Sequence, residues 1–306
     1  MPLPTDTLIR QFIRRLFASS PATLAVYEQP AGDPGLFGPD TITWRIHADF
    51  PGMMAGGLCA LMLQTLHPRA LAGVWDHSNF REDLLGRLRR TTAFVAATTY
   101  APRAHALAEI ERIRRVHERV RGHLPDGRPY SASEPALLTW VHVTEMWSFV
   151  QGFQAYRNVE LPRADLDRYF DETRRVAEAL GARDVPASAA AVDRYFADVL
   201  PQLAYSERSR TVLEVLAHAK FPGAVLGPAR SVFLGSGAAL LPGWALRMMG
   251  RGRRLQALDH AARLQLRVMG PLIRRALREG VAARACRRVG ADVAALRAWP
   301  RAPERA

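Results

Sequence analysis

The sequence predicts an all-α protein, on three observations. Apolar residues recur at helical spacing along most of the 306 residues, alternating runs of polar and β-branched residues are nearly absent, and prolines and cap residues punctuate the periodic segments. A hydrophobic content of 48% with 8% aromatics supplies a large core, so residues 1–306 are read as one large helical domain with extra helices at both ends.

The elements follow in order. A first helix over residues 7–17 carries Arg14-Arg15-Leu16-Phe17, a superficial twin-arginine match. Ser19, Ser20 and Pro21 stand where a long apolar region is needed, so it is read as a short amphipathic helix and the protein is placed in the cytoplasm. Residues 30–52 are rich in Gly, Pro and Asp, with residues 41–46 as the one extended piece. Residues 53–66 are apolar nearly all round and make a central core helix, where Gly56-Gly57 allows close approach of a neighbour or a flat ligand. Helices over 68–75, 82–99 and 102–121 are set off by His67-Pro68 and Ala101-Pro102. Pro125-Asp126-Gly127 then makes a turn, and Ser133-Glu134-Pro135 places a cap before a first-turn proline for a helix over 135–157. Further helices are expected over 165–180, 192–200, 207–220, 241–249, 255–278 and 292–299.

The net charge is +13, with Lys220 the only lysine among 42 basic residues. Residues 251–306, read as a basic helical extension, hold fourteen arginines against Asp259, Glu279, Asp292 and Glu304. No aromatic ladder or nucleic-acid motif accompanies this charge, so no nucleic acid is expected; an anionic membrane surface, a partner or plain solvent are the environments it suits. The apolar stretch 221–249 is interrupted by Arg230 and by glycines and prolines, which excludes a span but leaves peripheral membrane contact through 221–306 as an expectation. Cys59 and Cys286 make no disulfide framework, and no Cys-x-x-Cys-His run exists to attach haem covalently.

The densest chemistry lies in residues 114–122. At about 100° per residue, Ile110, Ile113, Val116 and Val120 form one stripe with His117 in its middle, pointing the imidazole at the core. Arg114 and Arg121 stand on the same side, three residues before and four after. A neutral imidazole that ligates iron, beside guanidiniums that pair with haem propionates, is a sensible chemical unit; a hydrogen-bonded core histidine is the other use of such a position.

Four segments line up around it: residues 63–68 (Leu63-Gln64-Thr65-Leu66-His67-Pro68), Asp76-His77-Ser78, Arg87-Leu88-Arg89-Arg90-Thr91-Thr92, and the stretch from Arg114 to Gly122. Tyr130 to Pro135 and the run Trp140-Val141-His142 follow. In order and spacing they resemble the MpaB / rubber oxygenase (latex-clearing protein) catalytic domain family over roughly residues 40–250. The resemblance implies a globin-like helical core around a haem b, and dioxygen chemistry on a small apolar, unsaturated and often isoprenoid substrate. It implies His117 as iron ligand within Arg-x-x-His-x-x-x-Arg, with Arg114 and Arg121 beside it. It also implies Arg87, Arg90 and Thr91 as the oxygen-side catalytic group, an arginine standing where the family has lysine. His142, His67, His77 and Tyr130 are read as supporting donors to a propionate or a distal water, or as core residues, with His142 among the cofactor-binding set. No glutamate stands in the matching helix for the carboxylate base that rubber cleavage is thought to need; Asp76 is the nearest acid.

The expected function is therefore a haem b-dependent oxygenase acting on an apolar substrate. The alternative is a non-catalytic helical module that docks through its basic C-terminus on an anionic membrane or partner. A zinc or di-iron enzyme is unsupported, because no His-Glu-x-x-His and no repeated Glu-x-x-His occurs. Oligomeric state is not legible in the sequence.

Overall fold

The computed structural model describes residues 4–17, 21–219 and 227–298, and among them sixteen α-helices and one two-stranded hairpin. The all-α expectation holds. Lys220, Trp299, Ser19, Ser20 and residues 221–226 of the apolar stretch lie outside the described residues.

The chain opens with α1 (Pro4–Phe17), the short α2 (Pro21–Ala25) and α3 (Ile42–His47). The third corrects the extended piece expected over 41–46. Thr41 caps α3 by accepting from the Trp44 amide, and the buried Glu172 carboxylate accepts from the amides of Ile42 and Thr43 at 3.3 and 2.9 Å. A carboxylate 130 positions away in sequence thus satisfies amides that would otherwise be orphaned at a buried helix start.

The core is a crossing of α4 (Phe50–Gln64) with the later α8. Between them run α5 (Pro68–His77), α6 (Leu84–Tyr100) and α7 (Arg103–Arg119). A hairpin of β1 (Arg121–His123) and β2 (Pro129–Ser131) closes on the Pro125-Asp126-Gly127 turn. The helix expected to reach 121 therefore stops two residues earlier, and Arg121 opens a strand paired with Ser131. Gly122 fits because a Cβ there would sit 2.6 Å from the Tyr130 hydroxyl.

Then come α8 (Pro135–Arg157), α9 (Arg163–Leu180), α10 (Ala189–Val199), α11 (Glu207–His218), α12 (Gly227–Ala238) and α13 (Gly243–Met248). Helices α4 and α8 meet backbone to backbone: a Cβ on Gly152 would lie 2.2 Å from the Gly52 carbonyl oxygen, and one on Gly56 2.6 Å from that of Ser148. Here the neighbour that Gly56 admits is a helix. Around this seam Leu63, Trp140, Val143, Phe153 and Tyr169 are fully buried.

The C-terminal part is α14 (Arg253–Ala276), α15 (Val281–Val289) and α16 (Val293–Ala298), of which α15 was not expected. Several of its arginines turn inward. Arg251 pairs with Asp259, Arg274 with Asp49 and Arg275 with Asp6, while Arg288 donates to the backbone carbonyls of Tyr27, Asp33 and Tyr100. The region is thus bound to the body by its charges rather than lying beside it as a free basic tail. Cys59 and Cys286 are both buried free thiols. Among the described residues, no helix is long and apolar enough to cross a membrane.

Candidate functional site

A cavity of about 560 Å³ lies against α4, α6 and α8, and is completed by α1, α12 and the α14–α15 junction. Its size falls in the range of small-molecule sites. Phe50, Met53, Leu61, Leu88, Phe149 and Phe233 give it apolar walls, and Gly57 leaves the α4 side flat.

Polar groups border these walls as well, many of them arginines, among them Arg45, Arg87, Arg89, Arg230 and Arg274. On α8, the Glu145 side chain reaches the cavity with no hydrogen bond or ion pair to a described residue, and burial pushes its carboxyl up to about 7. Its remaining exposure is to the cavity, so desolvation by the surrounding protein dominates. One turn earlier His142, expected in the cofactor-binding set, is not on the cavity wall, and burial holds it down to about 4, a neutral imidazole at ordinary pH. His47 of α3 lines the cavity as well, its Nδ1 hydrogen-bonded to Thr99 Oγ1 at 2.8 Å and its Nε2 to the Tyr169 hydroxyl at 2.9 Å. Burial, and then the nearby His142, bring His47 down to about 3. Gln64 lines the wall and donates to Thr144 Oγ1 at 3.3 Å.

Of the residues expected on the oxygen side, Arg87 and Thr91 line the cavity and Arg90 does not. Arg87 Nη1 donates to Ser78 Oγ at 3.2 Å, and burial, followed by the charge of Arg90, pulls its guanidinium below the ordinary arginine value. Thr91 donates back to the Arg87 carbonyl at 3.2 Å. Arg90 is exposed and pairs with Asp83 at 3.3 Å, because α6 turns its 90 position to solvent while 87 and 88 are half-buried; Thr91 borders the cavity from an exposed position.

The His117 group lies elsewhere. Ile110 is buried, but Val116 is 45% exposed, so the expected stripe does not continue as a core face. His117 itself is half-buried near the end of α7 and is not on the cavity wall; its Nδ1 is buried without a hydrogen-bond partner, and burial lowers its proton affinity. Arg114 pairs with Glu111 at 2.8 Å on the surface, and Arg121 is exposed on β1, its carbonyl hydrogen-bonded to His77 Nε2 at 3.2 Å. Neither guanidinium is on the cavity wall. The supporting residues take structural parts: His67 is buried and caps α5, and Tyr130 donates to Asp76.

Among the described residues no group of three or more His, Cys, Asp and Glu is placed to hold a bare metal ion. A haem would need one nitrogen donor from the protein, and His117, whose buried Nδ1 has no hydrogen-bond partner, would be chemically able to supply it.

Glu145 is the site residue that the sequence pattern does not mark. It reads there only as a neighbour of His142, and its one signal is an acid within an otherwise apolar run.

A family model described as ER-bound oxygenase mpaB/B'/Rubber oxygenase, catalytic domain, matches residues 44–275, from the middle of α3 almost to the end of α14. No curated protein and no solved structure matches the chain. With about three quarters of its length inside that match, including the walls contributed by α4, α6, α8 and α12, the chain belongs to the mpaB / rubber oxygenase catalytic domain family, a family of oxygenases.

Proposed function

We propose that the protein is a haem b-dependent oxygenase that takes a small apolar, unsaturated substrate into the cavity bounded by α4, α6 and α8. The observation that carries this reading is the oxygenase-family match over 44–275, which contains an apolar cavity holding a buried, unpartnered acid. His117, which lies off the wall of that cavity, is the proposed iron ligand on the strength of its orphaned imidazole nitrogen and the Arg114-x-x-His117-x-x-x-Arg121 spacing. When bound, a haem supplies the redox-active iron that lets dioxygen react with a carbon–carbon double bond.

The chain's own residues do the rest. The Phe and Met walls exclude water and hold the substrate by its apolar surface. Glu145, with a proton affinity near neutrality, holds or accepts a proton at its carboxylate oxygen inside that dry space. His47 stays neutral and fixes the Thr99 and Tyr169 hydroxyls beside it. Arg87 contributes a fixed positive charge. Cleavage of a C=C bond by one dioxygen into two carbonyls takes up both oxygen atoms and balances without an added reductant.

The test is an absorption spectrum of protein expressed with haem available, with oxygen uptake measured on unsaturated lipids. A Soret band that His117→Ala abolishes, and oxygen uptake that Glu145→Gln lowers at least about tenfold, are expected. Protein that is colourless and cannot be reconstituted overturns the haem assignment, and haem-loaded protein that consumes no oxygen with any such lipid overturns the oxygenase reading.

A further inference from the structure

We propose that the cavity's ligand is an amphiphile, a long apolar chain ending in a carboxylate, and that Arg87 anchors its anionic head. This names the substrate class for the oxygenase reading and rests on it only for what happens after binding.

Arg87 is a cation set in the wall of an apolar cavity without a counter-ion. Its one hydrogen bond is to Ser78 Oγ, and no carboxylate lies within ion-pair distance. The acid one turn before it, Asp83, is taken by Arg90 at the surface. Other inward arginines are better satisfied: Arg274 rests on Asp49, Arg275 on Asp6 and Arg251 on Asp259, and Arg288 donates to three backbone carbonyls. Arg87 is half-buried, a charge partly withdrawn from water and left without a counter-ion is costly, and a guanidinium presents five N–H donors in a planar fork. The unfilled donors of Arg87 therefore mark a place for a planar anion that comes from outside the chain.

The rest of the cavity specifies what that anion is attached to. Its Phe50, Met53, Leu61 and Leu88 walls offer nothing to a polar body but suit a hydrocarbon chain. A single guanidinium matches a monoanionic carboxylate in both geometry and charge. Of the other arginines that line the cavity, Arg89 on the same turn of α6 is engaged with the Leu16 and Arg15 carbonyls, Arg274 with Asp49 and Arg230 with the Ala219 carbonyl. Glu145, the cavity's unpartnered acid, stands on α8 and Arg87 on α6, with no ion pair between them. A chain anchored at Arg87 can thus present its carbons toward Glu145 without bringing the two carboxyls together.

The experiment measures displacement of a fluorescent polyene fatty acid from the purified full-length chain by palmitate, hexadecanol and hexadecyl phosphate. Palmitate is expected to displace the probe at a concentration at least about tenfold lower than hexadecanol, the size of effect a charge-assisted hydrogen bond gives. Arg87→Gln should bring the two together, and Arg87→Lys should keep part of the preference. Arg112→Gln, at an exposed residue paired with Glu109, should keep all of it. Thermal melting checks that each variant is folded. Equal displacement by palmitate and hexadecanol in the wild type, or an Arg87→Gln protein that still prefers palmitate, overturns the proposal. Tighter binding of hexadecyl phosphate than palmitate overturns the carboxylate assignment. An Arg87→Gln protein that loses haem from its spectrum but keeps the palmitate preference assigns the anion to the cofactor and also overturns it. Palmitate preference without oxygen uptake leaves this proposal standing and removes the oxygenase reading.

Discussion

Arg274 of α14 donates from Nε to Asp49 Oδ1 at 2.5 Å and from Nη2 to Oδ2 at 3.1 Å, while the same Asp49 caps α4 by accepting from the Gly52 amide at 3.0 Å. One buried carboxylate therefore starts the central helix and fastens the C-terminal basic helix to it. The family match agrees in running through this helix as far as residue 275.

Removing the cation should expose that dependence. Arg274→Ala leaves Asp49, whose side chain is 1% exposed, with only Arg157 at 3.8 Å as an opposite charge. A loss of about 3 kcal/mol is expected in urea unfolding, because stripping one partner from a buried ion pair strands the other. A midpoint unchanged from wild type would show that Asp49 does not depend on Arg274.

The raised proton affinity of Glu145 makes a signed pH prediction. Its folded value of about 7 lies above the ordinary 4.5, so the protonated form is favoured on folding, and this contribution falls as pH rises from 4.5 to 7. Glu145→Gln, which mimics the protonated acid, should be more stable than wild type at pH 8, by up to something on the order of 3 kcal/mol, and nearly equal to it at pH 4.5. Melting curves of both proteins at the two pH values measure this. A variant less stable at pH 8 would mean that the carboxylate is paired in solution.

The histidines act in the opposite direction. Burial holds His47 at about 3 and His142 at about 4, below the ordinary 6.5, so the stability they confer is complete above pH 6.5 and is lost as pH falls toward 4 and 3. The melting temperature should drop steeply below pH 6, and His142→Gln should flatten part of that slope. A flat profile between pH 7 and 4 contradicts it.

The α4–α8 seam should tolerate no added carbon. Gly152→Ala puts a Cβ 2.2 Å from the Gly52 carbonyl oxygen, where backbone must move rather than a side chain. A loss of about 2 kcal/mol or more in denaturant midpoint energy is expected. Gly127→Ala, at a turn with a positive φ and open space around it, should cost less, since only backbone strain is added.

The helical class was legible because periodicity and caps act locally, and the α4 core helix followed from its all-round apolarity. What failed was set by distant partners. Residues 42–47 are helical because Glu172 reaches their amides, and nothing near 42 announces it. The stripe around His117 ends in an exposed Val116 because α7 gives way to a hairpin just beyond. Of the anticipated oxygen-side trio, Arg87 and Thr91 reach the cavity and Arg90 does not, a difference of helix rotation that a motif spacing does not encode. Glu145 went unmarked because its altered chemistry comes from the desolvation of a cavity assembled from α1, α3, α4, α6 and α12.

The glycine seam also divides the labour of adaptation. Where α4 and α8 touch at Gly52, Gly56 and Gly152, any larger side chain collides with backbone, so this wall is a fixed jaw. The walls from α1, α6, α12 and the α14–α15 junction are made of side chains such as Ile13, Leu88, Phe233 and Val281, which can be exchanged for others of different size. A change of substrate in this architecture is therefore reached by re-facing the movable jaw, with Glu145 and the crossing that carries it left in place.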